Sequence, residues 1–267
     1  MNALQIQSVL QSALAMHAAL RHIHVHAELP STNSWLMDRD ALPVGEAEVA
    51  IALHQTAGRG RRGREWQAPP ESGLCLSMAW HFDAMPENPG AISLALGVAV
   101  ARALESLGTG EIMLKWPNDL VWQDRKLGGI LVESATSASG FRVVAGVGIN
   151  VALPEAFALN QGRSWSEGPV DLKRIGVEAS IAQLAEVVIP EWLAAFASFG
   201  SEADGAMVDA FNRRHWLLDR AAEREGQMLR CGAVDPSGRL TVVDMQSGEE
   251  AVIDSGEVTP IAWSEAS

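Results

Sequence analysis

Three patterns in the sequence predict an α+β fold with a small β-barrel appended to it. Strand-like segments before residue 150 come mostly as neighbours joined by short turns and do not alternate with helices, which argues against a doubly wound sheet. Two long apolar stretches, 90–108 and 176–200, have helical spacing and enough hydrophobic residues to pack beneath a sheet. From about Leu217 the chain turns to short strands separated by DPSG, QSGE and DSGE, with no helical stretch, as in a small barrel. The expected division is residues 1–216 as a large α+β domain and 217–267 as the barrel.

The elements follow in order. Residues 3–20 read as a short amphipathic helix with Leu4, Leu10, Leu14 and Ala18 close to one face. RHIHVHAEL then alternates, which sets His22, His24 and His26 on one side of a strand and Ile23 and Val25 on the other. Three histidines at period two are candidate metal ligands, but no carboxylate or Cys sits at matching spacing, so a polar strand face is the favoured reading. LPSTNSWLMDRDAL supplies a Ser/Thr/Asn cap and a short helix with Trp35, Leu36 and Met37. EVAIALHQ (48–55) is a buried strand, and GLCLSMAWHF (73–82) alternates as its antiparallel partner. The helix over 90–108 ends at Gly108. Three or four strands follow, with turns at Pro117-Asn118 and around Asp124-Arg125. Helical patterns return at 176–200, interrupted by Pro190, and at 205–216.

A hydrophobic fraction of 48% with 20% charged residues is that of an ordinary globular protein. The formal net charge of −13 argues against general binding to nucleic acid or anionic membrane. The N-terminus lacks a basic n-region, and no run approaches the ~18 apolar residues of a membrane span. Cys75 and Cys231 show no zinc spacing and read as two reduced thiols, with a single long-range disulfide as the alternative. The cytoplasm is the expected location.

Against that acidic background, HQTAGRGRRGREW (54–66) concentrates Arg59, Arg61, Arg62 and Arg64 among Gly58, Gly60 and Gly63. Glycine lets backbone N–H groups approach a ligand, and arginine brings planar, always-charged donor forks, so the loop suits a phosphate or carboxylate. GRGRRG is not a Walker A loop, and GVGIN (146–150) lacks the third glycine of a dinucleotide fingerprint. KWPND (115–119) adds a cation, an aromatic and two short polar side chains around a proline turn. KLGGI (126–130) places a lysine ahead of two strand glycines, where glycine often marks close approach by a ligand. Together these residues fit chemistry at the α-phosphate of a nucleoside triphosphate. A solvated loop or an RG-type tract touching RNA would use the same arginines but leave KWPND and KLGGI without a role.

STN (31–33), QTAGRGRRGREW (55–66), KWPNDL (115–120), KLGGILVE (126–133), GVGIN (146–150) and SGEVTPI (255–261) occur in the order and approximate spacing of biotin protein ligases. From about residue 22 onward the chain resembles that family. The resemblance implies a catalytic domain like that of class II aminoacyl-tRNA synthetases, with a mixed sheet, and an SH3-like C-terminal barrel. It implies ATP, Mg²⁺ and biotin as ligands, and a biotin site formed by Ser31, Thr32, Asn33, Gln55, Arg59, Gly60, Arg61, Lys126 and Gly129. Arg59, Arg62, Arg64, Trp66, Asn118 and Asn150 would contact ATP or the adenylate. Arg61, Lys126, Lys115 and Asp119 would carry the chemistry, with Asp119 toward the metal.

The implied reaction activates biotin as biotinyl-5′-AMP and transfers it to a lysine of the biotin carboxyl carrier protein of acetyl-CoA carboxylase or a related carboxylase. Bifunctional members also repress transcription through an N-terminal winged helix. Only 30 residues precede Ser31 here, and the chain is acidic, so ligation without repression is the expectation. Lipoate ligases share the implied fold but not the arginine run and remain the nearer alternative; an RNA- or anion-binding protein is the more distant one. The resemblance leaves the oligomeric state open, with a homodimer among the expectations.

Overall fold

A computed structural model describes residues 1–137, 140–155, 168–201 and 204–261. Helix α1 (Ala3–Ala13) starts at a capping box in which Asn2 and Gln5 exchange side-chain-to-backbone bonds, and it buries Ile6 and Leu10. The expected face is corrected. Leu4 is 76% exposed while Ile6, Leu10 and Leu14 share the buried stripe at spacing four. Strand β1 (Leu20–His26) buries Ile23 and Val25 as expected. Helix α2 (Thr32–Met37) begins at Ser31, whose hydroxyl accepts from the Ser34 N–H. Strands β2 (Ala47–Ala52) and β3 (Gly73–Phe82) follow. A single 3₁₀ turn at Pro89–Ala91 leads into helix α3 (Ile92–Glu105). Then come β4 (Met113–Lys115), β5 (Asp119–Trp122), β6 (Arg125–Ser137) and β7 (Gly140–Asn150).

These seven strands form one sheet in the order β1-β2-β3-β7-β6-β5-β4. Every pair is antiparallel except β1 with β2, which is parallel, so the sheet is mixed. The parallel pair is possible because α2 returns the chain between the two strands. The alternation expected for β3 is corrected too: nine of its ten residues are buried. The sheet is covered on both faces, so both parities of β3 are inside. Met78 and Trp80 belong to the large core with α3, whereas Ala79 joins Ala50, Val144 and Leu36 beneath α2.

Helix α4 (Ile181–Ser198) is capped by Ser180 and Gln183 and runs straight through Pro190. Proline removes one backbone bond, but Val188, Ile189, Trp192 and Phe196 are buried on either side of it and hold the helix. Trp192 Nε1 donates to the Leu96 carbonyl at 3.2 Å, and the Phe196 ring stacks on Trp80 at 5.6 Å. This helix is 18 residues long with mean hydropathy 1.3, so one stretch does reach membrane-span length, contrary to expectation. Its packing here against α3 and the sheet is that of a core helix.

Helix α5 (Asp204–Arg213) leads to a second, antiparallel sheet: β8 (Ala221–Arg224), β9 (Gln227–Val234), β10 (Leu240–Asp244), β11 (Glu250–Ile253) and β12 (Thr259–Pro260). Its order is β11-β10-β9-β8-β12. The DPSG, QSGE and DSGE segments join its strands as expected, and residues 262–267 lie outside the described residues. Buried Ala222, Leu229, Cys231 and Leu240 continue the hydrophobic core of the large sheet. Trp116 Nε1 also donates to the Gly238 carbonyl at 3.0 Å, tying the KWPND turn to the β9–β10 connection.

His215 lies in this seam, 3% exposed, with its ring 5.2 Å from that of Phe211. Burial lowers its pKa from 6.5 to about 4, the Gly232 backbone opposing and Lys115 reinforcing the drop. A histidine whose folded pKa is depressed favours the fold while neutral, so this contribution is present above pH 6.5 and lost as pH falls toward 4. The shift is equivalent to about 3 kcal/mol. Chemical denaturation between pH 7.5 and 4 should therefore show a loss of stability that flattens in His215→Asn, whatever offset the substitution adds at neutral pH. Equal slopes in the two proteins would remove His215 from the acid response.

Candidate functional site

Strand alternation selects the residues that face α2 and the arginine loop. On β3 they are Cys75 and Ser77; on β7, Gly146 and Gly148; on β6, Gly129, Leu131 and Glu133. Register brings them side by side, with Cys75 opposite Gly148 and Ser77 opposite Gly146 on one flank. On the other flank Gly129 pairs with Gly148 and Leu131 with Gly146. The two β7 glycines leave space that other side chains enter. A Cβ at Gly146 would lie 2.2 Å from Asn33 Oδ1, and one at Gly148 would lie 2.3 Å from the Trp66 indole. GVGIN is thus a seat for an amide and an aromatic ring.

Over this floor runs a continuous polar relay. Gln55 Oε1 accepts from the Thr32 N–H at 2.7 Å and from its hydroxyl at 3.1 Å. Thr32 Oγ1 lies 2.6 Å from Ser77 Oγ, and Ser77 donates to Asn33 Oδ1 at 2.6 Å. Asn33 Nδ2 donates to Glu133 at 3.0 Å, and Glu133 forms an ion pair with Arg59 at 2.8 Å. Six residues from four parts of the chain are linked, and Thr32, Asn33 and Ser77 are buried. Helix α2 is held in place at its far end by Arg142, which donates to the Leu36 and Arg39 carbonyls.

The arginine loop is itself folded. Trp66 donates from its backbone to Gly58 O at 3.0 Å, and Gly60 N donates to Arg64 O at 2.7 Å, forming a narrow hairpin. Gly58 has no alternative at its position, because a Cβ there would sit 2.2 Å from the Trp66 carbonyl. The tip is a 3₁₀ turn, Arg61–Gly63, with Arg62 at φ 56°. The four guanidinium groups point to different places. Arg59 reaches Glu133 and Ser34; Arg61 approaches Asn118 Oδ1 at 3.4 Å; Arg64 makes a two-pronged ion pair with Glu257; and Arg62 is exposed beside Gly256.

Opposite the loop, the KWPND turn and β6 supply the remaining charges. Lys126 Nζ is 2.7 Å from Asp119 Oδ1, and Lys115 Nζ is 4.0 Å from Asp119 Oδ2. Gly129 leaves room for this group, since its Cβ would stand 3.3 Å from Asp119 Oδ1. Asn118 bridges to β6 through Nδ2 to Ile130 O at 2.8 Å, which frees Oδ1 for Arg61. Burial pushes the Lys115 ammonium and the Arg61 guanidinium below their ordinary values, with Asp119 pulling both the other way. Burial also raises the Cys75 thiol to about 11, which leaves it inert as a nucleophile at neutral pH.

The result is a cleft with about 920 Å³ of space, counting the part open to solvent. Arg59, Arg61, Arg62, Arg64, Lys115 and Lys126 line it against three carboxylates, Asp119, Glu65 and Glu257. An anion site is therefore built locally into a chain of net charge −13. Ser31, Thr32, Asn33, Gln55, Gly60, Trp66, Asn118 and Gly129 line it as well. Asn150 is the expected site residue that does not. It is buried, and Nδ2 bonds the Val170 carbonyl at 3.0 Å and the Lys126 carbonyl at 3.4 Å, bracing the strand that bears Lys126.

Among the described residues no group of His, Cys, Asp or Glu forms a metal cage. Asp119 is occupied by two lysines, so it does not offer a preformed metal ligand. The histidines of β1 have protein partners. His24 bonds Glu48 on the adjacent strand at 2.8 Å, and Trp35 covers His24 and His26, each at 4.9 Å. The carboxylate absent from the local spacing came from the neighbouring strand. Both cysteines are free and buried.

Ser77, Glu133 and Glu257 were missed as site residues. The only signal for Ser77 is a hydroxyl within the apolar stretch Leu74–Trp80 of its strand; Glu133 and Glu257 close the KLGGILVE and SGE segments, where local spacing gives them no partner.

Residues 26–150 match the biotin/lipoate A/B protein ligase family. The chain is 39% identical to the bifunctional ligase/repressor BirA of Escherichia coli over 65% of its own length and 53% of that protein. It therefore spans little more than half of that relative. It is 31% identical to the biotin–[acetyl-CoA-carboxylase] ligase of Paracoccus denitrificans over 82% of this chain and 89% of the relative. The structure of a biotin protein ligase from Aquifex aeolicus in complex with biotin and ATP shares the fold, with TM-score 0.72 at 23% identity, covering 91% of this chain and 99% of that one.

The Arg59 and Arg64 ion pairs are half-exposed, and such pairs contribute about 0.5–1 kcal/mol at most. Glu133→Gln and Glu257→Gln should each raise hydrogen exchange of loop amides 58–66 by roughly two- to fivefold. Glu46→Gln, which removes the distant pair with Arg21, should leave the loop unchanged. Unaltered exchange in both glutamate variants would mean that the hairpin backbone alone sets the loop.

Proposed function

The chain belongs to the biotin/lipoate A/B protein ligase family, and we propose that it uses ATP to activate biotin and transfers the biotinyl group to a lysine of the biotin carboxyl carrier protein of acetyl-CoA carboxylase. The observation that carries this reading is the junction of two unlike surfaces in one cleft. A neutral relay of Gln55, Thr32, Ser77 and Asn33 adjoins a cluster of six cations. A ligand with an uncharged, hydrogen-bonding ring at one end and a carboxylate at the other spans both. Biotin has that form, and its carboxylate would lie where the α-phosphate of ATP also needs positive charge.

In the first step the biotin carboxylate oxygen attacks the α-phosphorus and pyrophosphate leaves, giving biotinyl-5′-AMP. Lys126 and Arg61 stabilise the charge gathered on the carboxylate and phosphate oxygens. Lys115, buried beside Asp119, holds the polyphosphate side; Arg62 and Arg64 approach it from the loop. Trp66, seated on Gly148, closes the cleft over the intermediate, since water would hydrolyse the mixed anhydride. In the second step the carrier lysine amine attacks the acyl carbon, AMP departs and the amine proton passes to solvent. Mg²⁺ would enter with the triphosphate and neutralise part of its charge. Asn150 acts through the Lys126 backbone and does not contact ATP.

Ligation of lipoate is the second reading, because the family includes it. A dithiolane ring offers no hydrogen-bonding group to the relay, which favours biotin. We also propose that the protein works in the cytoplasm and does not act as a repressor. The support for the latter is the net charge of −13 and the commitment of Arg59 and Arg64 to Glu133 and Glu257. A discrete, competitor-resistant shift of biotin-gene promoter DNA would overturn it.

Incubation of the purified protein with ATP and biotin, and separately with ATP and lipoate, should yield biotinyl-AMP by mass and little lipoyl-AMP. The reverse preference would sink the biotin assignment. Arg61→Gly should still form the adenylate but release it, labelling bystander lysines; complete loss of adenylate would contradict a retention role. Lys126→Ala should slow adenylate formation by about 10²–10³ while transfer from added biotinyl-AMP suffers less. Equal damage to both half-reactions would count against that assignment.

A further inference from the structure

An enzyme that makes a lysine-reactive mixed anhydride exposes its own surface to it. The sequence holds only three lysines, Lys115, Lys126 and Lys173, among 20 basic residues. Every other basic side chain counted there is arginine. A guanidinium stays protonated and has no available lone pair, so it keeps the charge of lysine without its nucleophilicity. Lys115 is 4% exposed, and Lys126 Nζ is held 2.7 Å from Asp119, so neither presents a free amine to a departing intermediate.

Lys173 differs on each point. It is exposed, and its side chain makes no hydrogen bond or ion pair with the described residues. The nearby carboxylate of Asp171 is taken by its neighbour Arg174 at 2.9 Å. The segment that carries it runs beside the strand that brings Lys126 to the cleft: the Val170 N–H donates to the carbonyl of Lys126 at 2.9 Å, and the Lys173 N–H to that of Val151 at 3.0 Å. Lys173 is thus at most about 11 Å of extended chain from Val170.

We propose that Lys173 is the one lysine of this protein acylated by its own intermediate, and that the arginine-for-lysine surface is otherwise blank to it. The inference rests on the adenylate chemistry proposed above. In the modification, the Lys173 Nζ lone pair forms an amide bond to the biotinyl carbonyl carbon. The bond from that carbon to the phosphate oxygen breaks, AMP leaves with the electron pair, and the amine proton goes to water.

The test uses the full chain without acceptor, in two arms: ATP with biotin, and synthetic biotinyl-5′-AMP. A lysine-rich bystander protein is present in both, and biotinylated sites are mapped by peptide mass. Label is expected at Lys173 and absent from Lys115 and Lys126; mapping separates it from any label on the Met1 α-amine. Lys173→Arg should lose the ε-amine label while bystander labelling is unchanged. Arg230→Lys, at an exposed position on β9, should gain label at that position. Label on Lys115 or Lys126, or a labelled bystander beside an unlabelled Lys173, overturns the proposal. The synthetic arm decides this even if no adenylate forms from ATP and biotin, an outcome that would strike the proposed function instead.

Discussion

The site depends on two missing side chains. Gly146 and Gly148 face the cleft from β7, and a methyl group at either would occupy the place of Asn33 or Trp66. Without Asn33 against β7, the relay from Gln55 to Glu133 has no centre. Without the Trp66 ring on Gly148, the arginine hairpin loses the surface that seats its far end. Strand alternation makes the two glycines act together, since both lie on the face that α2 and the loop cover.

Charge is the second organising constraint. A cluster of cations in an acidic protein would be strained if its members faced each other unpaired. Here each major group has a local carboxylate: Arg59 with Glu133, Arg64 with Glu257, and Lys126 with Lys115 around Asp119. The loop is thereby held in place before any anion arrives, and the surplus of positive charge stays available to one. Arginine takes the sites where a planar fork bridges two partners, and lysine takes the floor, where a compact charge fits beside Gly129.

The small C-terminal sheet belongs to this arrangement as more than an appendage. Glu257 precedes β12 and holds the arginine hairpin, while Gly238 receives the Trp116 indole from the KWPND turn. Two walls of the cleft are therefore attached to the same sheet, and its hydrophobic residues merge with the main core. Displacing the sheet would disturb both walls at once.

The sequence by itself determined the α+β class, the position of most elements, and much of what lines the candidate cleft: the arginine loop, Thr32 and Asn33, Lys115 and Lys126. These are legible because local rules govern them. Apolar period marks strands and helices, Ser31 marks a cap, and interleaved Gly and Arg mark an anion loop. Tertiary structure alone decided what local spacing does not contain. The parallel pairing of β1 with β2 brought Glu48 to His24. The burial of both faces of β3 turned Ser77 into the middle of the relay. Glu133 and Glu257 acquired roles from partners 74 and 193 residues away. Asn150 was drawn inward as a brace, because at the end of β7 its amide meets two backbone carbonyls before it can meet a ligand. Strand register sets each of these outcomes, and it is fixed by the packing of the whole sheet, not by any short stretch of sequence.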